Sequence, residues 1–198
     1  MCLFLWRYVR TSTLDRLRRT TSLHSLKMQN VSTEMERDDL DLGPRKKFAV
    51  AMAQKLIKAS GITDAPVSLR EIIACAKKDR NLTVVIDKIP GKLSGIMVKV
   101  GELEDASTFI GVNADDPWCR RRFTLGHELG HMFMEHSGCT GENTYEEREA
   151  HAFAGELLIP TEFIKRDIKK TPNIPALAKR YLVSQQALTI KLQDCNLI

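Results

Sequence analysis

Residues 127 to 131 carry side chains that could bind a metal ion and activate water, because they read His-Glu-Leu-Gly-His. In an α-helix, residues four apart lie on the same face, so His127 and His131 can present two imidazole nitrogens to one Zn²⁺ at about 2.0–2.1 Å. Glu128 lies beside them, where its carboxylate can accept a proton from water that the metal activates. The spacing therefore predicts a catalytic zinc site with Glu128 as the general base.

A third ligand is needed, because a catalytic zinc ion usually takes three protein ligands and leaves a fourth position for water. One class of such enzymes places a third histidine six residues after the second, but that position here is Ser137. A carboxylate from the helix predicted next is the alternative. On that helix Glu147 and Glu146 flank the apolar face, whereas Glu149 is expected to point to solvent. Glu147 is the first candidate, and Glu146 stays open beside it.

Other polar residues near the motif have possible supporting roles. His151 follows Glu147 by four residues, so it could hold a ligand in place or stabilise an oxyanion, and Tyr145 is a second candidate for the oxyanion. His136 and Cys139 follow the predicted end of the motif helix, and we do not expect them to bind the metal.

The pattern of apolar residues predicts the elements that position these side chains. Helices are predicted over 45–60, 68–78, 117–135, 145–158 and 162–168, with Asp116 as the cap of the third, and two short helices near Ser184 end the chain. Val- and Ile-rich runs at 82–86, 93–100 and 108–112 predict three strands, which we expect to form a small antiparallel sheet. The expected fold class is α+β.

The chain divides into a leader and a folded part. Residues 1–42 are expected to lie outside the fold, residues 43–160 to form the peptidase core, and residues 161–198 a helix-turn-helix-like subdomain. The first 30 residues are rich in Arg, Ser and Thr and contain one acidic residue, Asp15. This composition is typical of a mitochondrial transit peptide, but translation starting at Met28 or Met35 would also explain it.

Composition narrows the class of protein. The net charge of +5 comes from the two ends, because residues 31–160 hold more acidic than basic residues, so the charge does not indicate nucleic-acid binding by the core. The five cysteines are odd in number and lack Cys-x-x-Cys spacing, which indicates a reducing compartment. The longest apolar runs are too short to span a membrane. A cytoplasmic monomer is expected.

Two longer motifs identify a family. Residues 122–131 read Arg-Phe-Thr-Leu-Gly-His-Glu-Leu-Gly-His, and residues 147–160 read Glu-x-x-Ala-x-x-Phe-Ala-x-x-Leu-Leu-Ile-Pro, where x is any residue. Together they resemble the ImmA/IrrE family of metallopeptidases, and the similarity extends from about residue 45 to the C-terminus.

The resemblance implies a zincin-like fold in which His127, His131 and Glu147 bind Zn²⁺ and Glu128 is the catalytic base. It also implies a zinc metallo-endopeptidase that cleaves a helix-turn-helix (Xre-type) repressor, as an anti-repressor in a mobile-element or stress response. One departure is His151, since the family usually has Asn there.

A regulator without peptidase activity is the alternative, either one that binds DNA or an antitoxin-like partner that binds the repressor. The basic residues of the tail are spread over several predicted helices, and the last helix has few groups that read bases, so direct DNA binding is not expected. The intact Glu128 argues against a non-catalytic role, because binding alone does not need a general base.

Overall fold

A computed structural model describes residues 45–101, 106–136 and 145–198. In these ranges the chain forms seven helices and three strands, so the predicted α+β class is confirmed. The predicted leader lies outside them. The helices are α1 (Lys46–Ala59), α2 (Leu69–Ala76), α3 (Trp118–Phe133), α4 (Tyr145–Leu158), α5 (Thr161–Lys170), α6 (Ile174–Tyr181) and α7 (Gln185–Asp194). The strands are β1 (Asn81–Asp87), β2 (Gly95–Val100) and β3 (Ser107–Asn113).

The sheet is mixed, which corrects the antiparallel sheet expected from the sequence. Its strand order is β1-β3-β2, with β1 parallel to β3 and β2 antiparallel to β3. The central strand is β3, and its inward face is the most thoroughly buried of the three, since Thr108, Ile110 and Val112 are each at most 8% exposed. The earlier strands pair on either side of it, and β2 becomes an edge strand next to α3.

The end of the motif helix turns the chain back on itself. After Phe133 the backbone of Glu135 has a left-handed φ of 58°, and the His136 N–H donates to the His131 carbonyl at 3.0 Å. The Glu135 N–H donates to the Met132 carbonyl at 3.3 Å, which completes a Schellman-type cap. The cap keeps His136 close to the helix that carries the motif. At the other end Pro117 occupies the capping position predicted for Asp116.

Two glycines permit the close approaches on which the site depends. A Cβ at Gly130 of α3 would lie 3.0 Å from Ala150 Cα, so α3 and α4 are in near-backbone contact. A Cβ at Gly95 would collide with the Thr124 methyl and lie 3.0 Å from Glu128 Oε1. The edge strand therefore passes directly beside the motif helix.

The C-terminal helices pack into the same core as the rest of the described chain. Leu177, Tyr181 and Leu188 belong to the hydrophobic cluster that also contains Leu129 and Phe153. Ser184 caps α7 as predicted, since its hydroxyl accepts the Ala187 N–H at 3.1 Å. Among the residues that the structure describes, none of the helices has the length and apolarity to cross a membrane.

Candidate metal centre

Two histidines of α3 and one glutamate of α4 converge on a single point. His127 Nε2 lies 3.0 Å from His131 Nε2, and the Glu147 carboxylate lies 3.2 Å from the first nitrogen and 3.3 Å from the second. Their ligand atoms all lie within 4.8 Å of one another, and the three side chains are half-buried. The close packing of α3 on α4 brings the carboxylate to the two imidazoles.

The spacing of these atoms fits a zinc ion. Tetrahedral zinc with bonds of about 2.0–2.1 Å requires ligand atoms roughly 3.3 Å apart, and the observed separations are 3.0–3.3 Å. Two histidines and a carboxylate are also a ligand set that catalytic zinc takes while keeping one position open. The residues present therefore fit the metal that the sequence predicted.

The electrostatics of the two imidazoles also suit a cation. Burial, together with the neighbouring histidines, lowers the pKa of His127 to about 3 and that of His131 to about 4. Both rings are therefore neutral at pH 7, and a neutral ring can offer a nitrogen lone pair to a metal. His127 Nδ1 is buried without a hydrogen-bond partner in the part of the chain that the structure describes, whereas His131 Nδ1 lies 2.8 Å from His136 Nδ1.

The three glutamates of α4 occupy different environments. Glu147 is the one that lies with the two histidines. Glu146 is half-buried, and its negative charge acts on His131 and on Arg45. Glu149, expected at the solvent face, is instead only 3% exposed. The expectation was wrong because α4 is covered on two sides, by α3 and by α1, so that burial extends beyond its apolar stripe.

Glu128 has the protonation properties of a general base. Burial, together with the nearby Glu147 carboxylate, raises the pKa of Glu128 to about 7. A base with a pKa near the working pH balances availability against driving force for proton transfer. Its carboxylate also faces the start of β2, because a Cβ at Gly95 would lie 3.0 Å from Glu128 Oε1.

His151 and Tyr145 were the candidates for supporting roles. His151 Nδ1 donates to the Glu147 carbonyl at 2.7 Å, and its ring centroid lies 4.6 Å from that of His127. It thus contacts one proposed ligand through the ring and another through the backbone. Tyr145 is the first residue of α4, 47% exposed, with the Arg148 guanidinium 6.0 Å from its ring centroid.

His136 is a polar residue of the site whose role the sequence analysis missed. It is 3% exposed, its Nδ1 lies 2.8 Å from His131 Nδ1, and its Nε2 lies 3.0 Å from Glu149 Oε2. In the sequence, His136 is a third histidine, five residues after His131. The spacing was considered only for metal binding, and not for a contact with His131. Cys139, assessed in the same way, lies outside the described residues.

The raised pKa of Glu128 gives the metal-free protein a pH-dependent stability. The pKa is about 7 in the folded chain and 4.5 in a reference peptide, so the folded state binds the proton more tightly. This carboxyl therefore costs stability progressively as the pH rises from about 4.5 to 7. Glu128→Gln removes that cost, and the metal-free variant should be more stable than the wild type at pH 8 by on the order of 1–3 kcal/mol.

Urea unfolding of both proteins at pH 4 and pH 8 measures this difference, which should disappear at pH 4. The histidines contribute equally to the free energy of unfolding of the two proteins, so their contributions cancel in the difference. Glu162→Gln, at an exposed position in the first turn of α5, is the control for loss of a carboxylate. It should not raise stability at pH 8, because a negative charge at a helix N-terminus is favourable. A stability difference that is the same at both pH values would contradict the assigned environment of Glu128.

Comparison with known proteins defines the class. The IrrE N-terminal-like domain of peptidase M78 matches residues 83–193, which include both helices of the site. The matched residues make up more than half of the chain. The chain is therefore metallopeptidase-like or an IrrE-type regulator. The chain belongs to the IrrE N-terminal-like domain family, as the two sequence motifs predicted. Members of the family are in general associated with zinc.

Other comparisons add the fold alone. No curated protein sequence gives a significant match. A solved structure of a Mycobacterium tuberculosis transcriptional regulator is similar, with a TM-score of 0.50 and 17% sequence identity. The similarity covers 71% of this chain and 44% of that one, so the chain spans less than half of that protein's length.

Proposed function

We propose that this chain is a zinc-dependent endopeptidase with His127, His131 and Glu147 as metal ligands and Glu128 as catalytic base. The observation that carries the proposal is the convergence of two neutral imidazoles and a carboxylate, with Glu128 on the same helix and its pKa raised to about 7. A structural ion pair would favour protonated histidines, whereas here burial keeps them neutral.

The chemistry divides between the metal and the chain. When bound, zinc supplies Lewis acidity toward the substrate carbonyl and toward water. Glu128 accepts the proton of the attacking water and then delivers it to the leaving amine, acting first as general base and then as general acid. His151 is placed against the His127 ring, where it holds that ligand in orientation.

The edge of the sheet is the proposed binding surface for the substrate. Among the residues that the structure describes, β2 pairs with β3 on one side only, and we propose that its other edge takes up an extended peptide by β-strand addition. Gly95 at the start of β2 lies against Glu128, which would place the peptide backbone beside the base.

The proposed substrate is a helix-turn-helix (Xre-type) repressor, whose cleavage in the cytoplasm by a monomeric enzyme would release the repressed genes. Membership of the IrrE N-terminal-like domain family and the resemblance to ImmA/IrrE metallopeptidases support this substrate class. The Mycobacterium tuberculosis protein of similar fold is a transcriptional regulator.

Metal removal tests the proposal. The zinc-loaded chain should cleave at least one member of a panel of purified helix-turn-helix repressors, and a chelator should abolish cleavage. One equivalent of Zn²⁺ should restore it, whereas Mg²⁺ should not, because histidine nitrogens are poor ligands for magnesium. Mass spectrometry of the products measures the cut. A zinc-loaded chain that binds a repressor and leaves it intact would favour the non-proteolytic alternative.

A further inference from the structure

A chain of polar contacts runs from the start of α1 to the back of a proposed metal ligand. The backbone N–H of Arg45 and its Nε donate to Glu149 Oε1 at 2.8 and 3.1 Å, and Arg45 Nη2 donates to Oε2 at 2.9 Å. Glu149 Oε2 also lies 3.0 Å from His136 Nε2. His136 Nδ1 in turn lies 2.8 Å from His131 Nδ1, on the side of the ring away from Glu147.

The positions of the protons along this series of hydrogen bonds follow from the groups at its two ends, Arg45 and the proposed metal position. Every group that faces Glu149 from Arg45 is a donor, so the Glu149 carboxylate accepts, and His136 Nε2 must carry a proton to pair with it. A zinc ion at the converging ligand atoms needs the lone pair of His131 Nε2, so the His131 proton lies on Nδ1 and His136 Nδ1 accepts it. His131 Nε2 is left without a proton, and it faces the point where the three ligand atoms converge.

We propose that Glu149 and His136 are positioning residues that fix the His131 imidazole in the tautomer that binds zinc. The inference rests on the zinc site proposed above. It concerns one proposed ligand in particular, because within the described ranges His127 Nδ1 is buried with no hydrogen-bond partner comparable to His136. Burial keeps water from replacing the contacts, since His136 and Glu149 are each 3% exposed.

Glu149→Gln tests the direction of the proton chain with almost no change in shape. The amide oxygen should take the Oε1 position, where two Arg45 donors meet, at the cost of the single hydrogen bond from Arg45 Nη2 to Oε2. The amide NH₂ should then face His136. An NH₂ group donates, so His136 Nε2 would become the acceptor and His136 Nδ1 the donor. His131 would then accept at Nδ1 and carry its proton on Nε2, the nitrogen that must bind the metal.

Two measurements read the change. In the metal-free proteins, ¹⁵N imidazole NMR should place the His131 proton on Nδ1 in the wild type and on Nε2 in Glu149→Gln. Chelator competition should show zinc binding about 10–100-fold weaker in the variant, the usual effect of removing a partner of a metal ligand. Zinc should still bind with a stoichiometry of one at saturation, because all three ligands remain.

Glu156→Gln is the matched control. Glu156 is also a buried carboxylate of α4 paired with a basic side chain, Lys191, at 2.6 Å. Its loss should lower stability, leaving the His131 tautomer and the zinc affinity unchanged. If both variants lose zinc affinity equally, or if the His131 tautomer is the same in Glu149→Gln as in the wild type, the proposed role of Glu149 and His136 is wrong.

Substitutions of His136 keep the test independent of the folding of Glu149→Gln. His136→Asn places an amide oxygen near the Nδ1 position and should keep the affinity close to that of the wild type. His136→Phe fills the same space with no acceptor and should bind zinc about 10–100-fold more weakly. Equal affinities in the two variants overturn the inference. A wild-type chain that binds no zinc would instead refute the proposed function, and with it any positioning role for Glu149 and His136.

Discussion

Alanine at His127, at His131 or at Glu147 should reduce the zinc content from one ion per chain to near zero after dialysis. Each substitution removes one of the three proposed ligands, and the two that remain supply only half of a tetrahedral site. Metal analysis of the purified variants measures the loss. The imidazole and carboxylate atoms are 3.0–3.3 Å apart, so all three can reach the same metal position.

Glu146→Ala is the control that distinguishes the two glutamates left open by the sequence. Glu146 precedes Glu147 on α4, and its charge acts on His131, but it does not belong to the group of converging ligand atoms. The variant should keep its zinc. Full zinc in Glu147→Ala together with loss in Glu146→Ala would move the third ligand by one residue.

The parts of the site that the sequence predicted are those that local periodicity determines. The bounds of α4 are those expected, and each predicted strand overlaps an observed one. The i, i+4 spacing of His127 and His131 and the flank of α4 that carries Glu147 follow from helix geometry alone. A helix turn fixes these relations, whatever packs around it.

The parts that the sequence did not predict depend on contacts between distant residues. Glu149 is buried by the packing of α1 and α3 on α4, and three hydrogen bonds from Arg45, 104 residues away, satisfy its carboxylate there. His136 comes back to His131 through a cap in which Glu135 adopts a left-handed conformation, although glycine is the usual residue there. The strand order likewise reflects which strand the core buries most. Neither residue periodicity nor composition contains this information.

The largest effect on activity is expected from Glu128→Gln, in which repressor cleavage should fall by about 10²–10⁴-fold, the usual contribution of a positioned general base. Gln keeps the size and the helix but does not accept a proton at neutral pH. The variant should retain one zinc, because Glu128 is not among the converging ligand atoms, and it should still bind the repressor. Cleavage rates, zinc content and co-purification of uncut repressor measure the three properties.

Glu128 lies beside the edge strand as well as beside the proposed metal ligands. Loss of repressor binding together with loss of cleavage would therefore assign Glu128 to substrate recognition. Full derepression of the target genes by the Glu128→Gln protein would show that binding, without proteolysis, is the function.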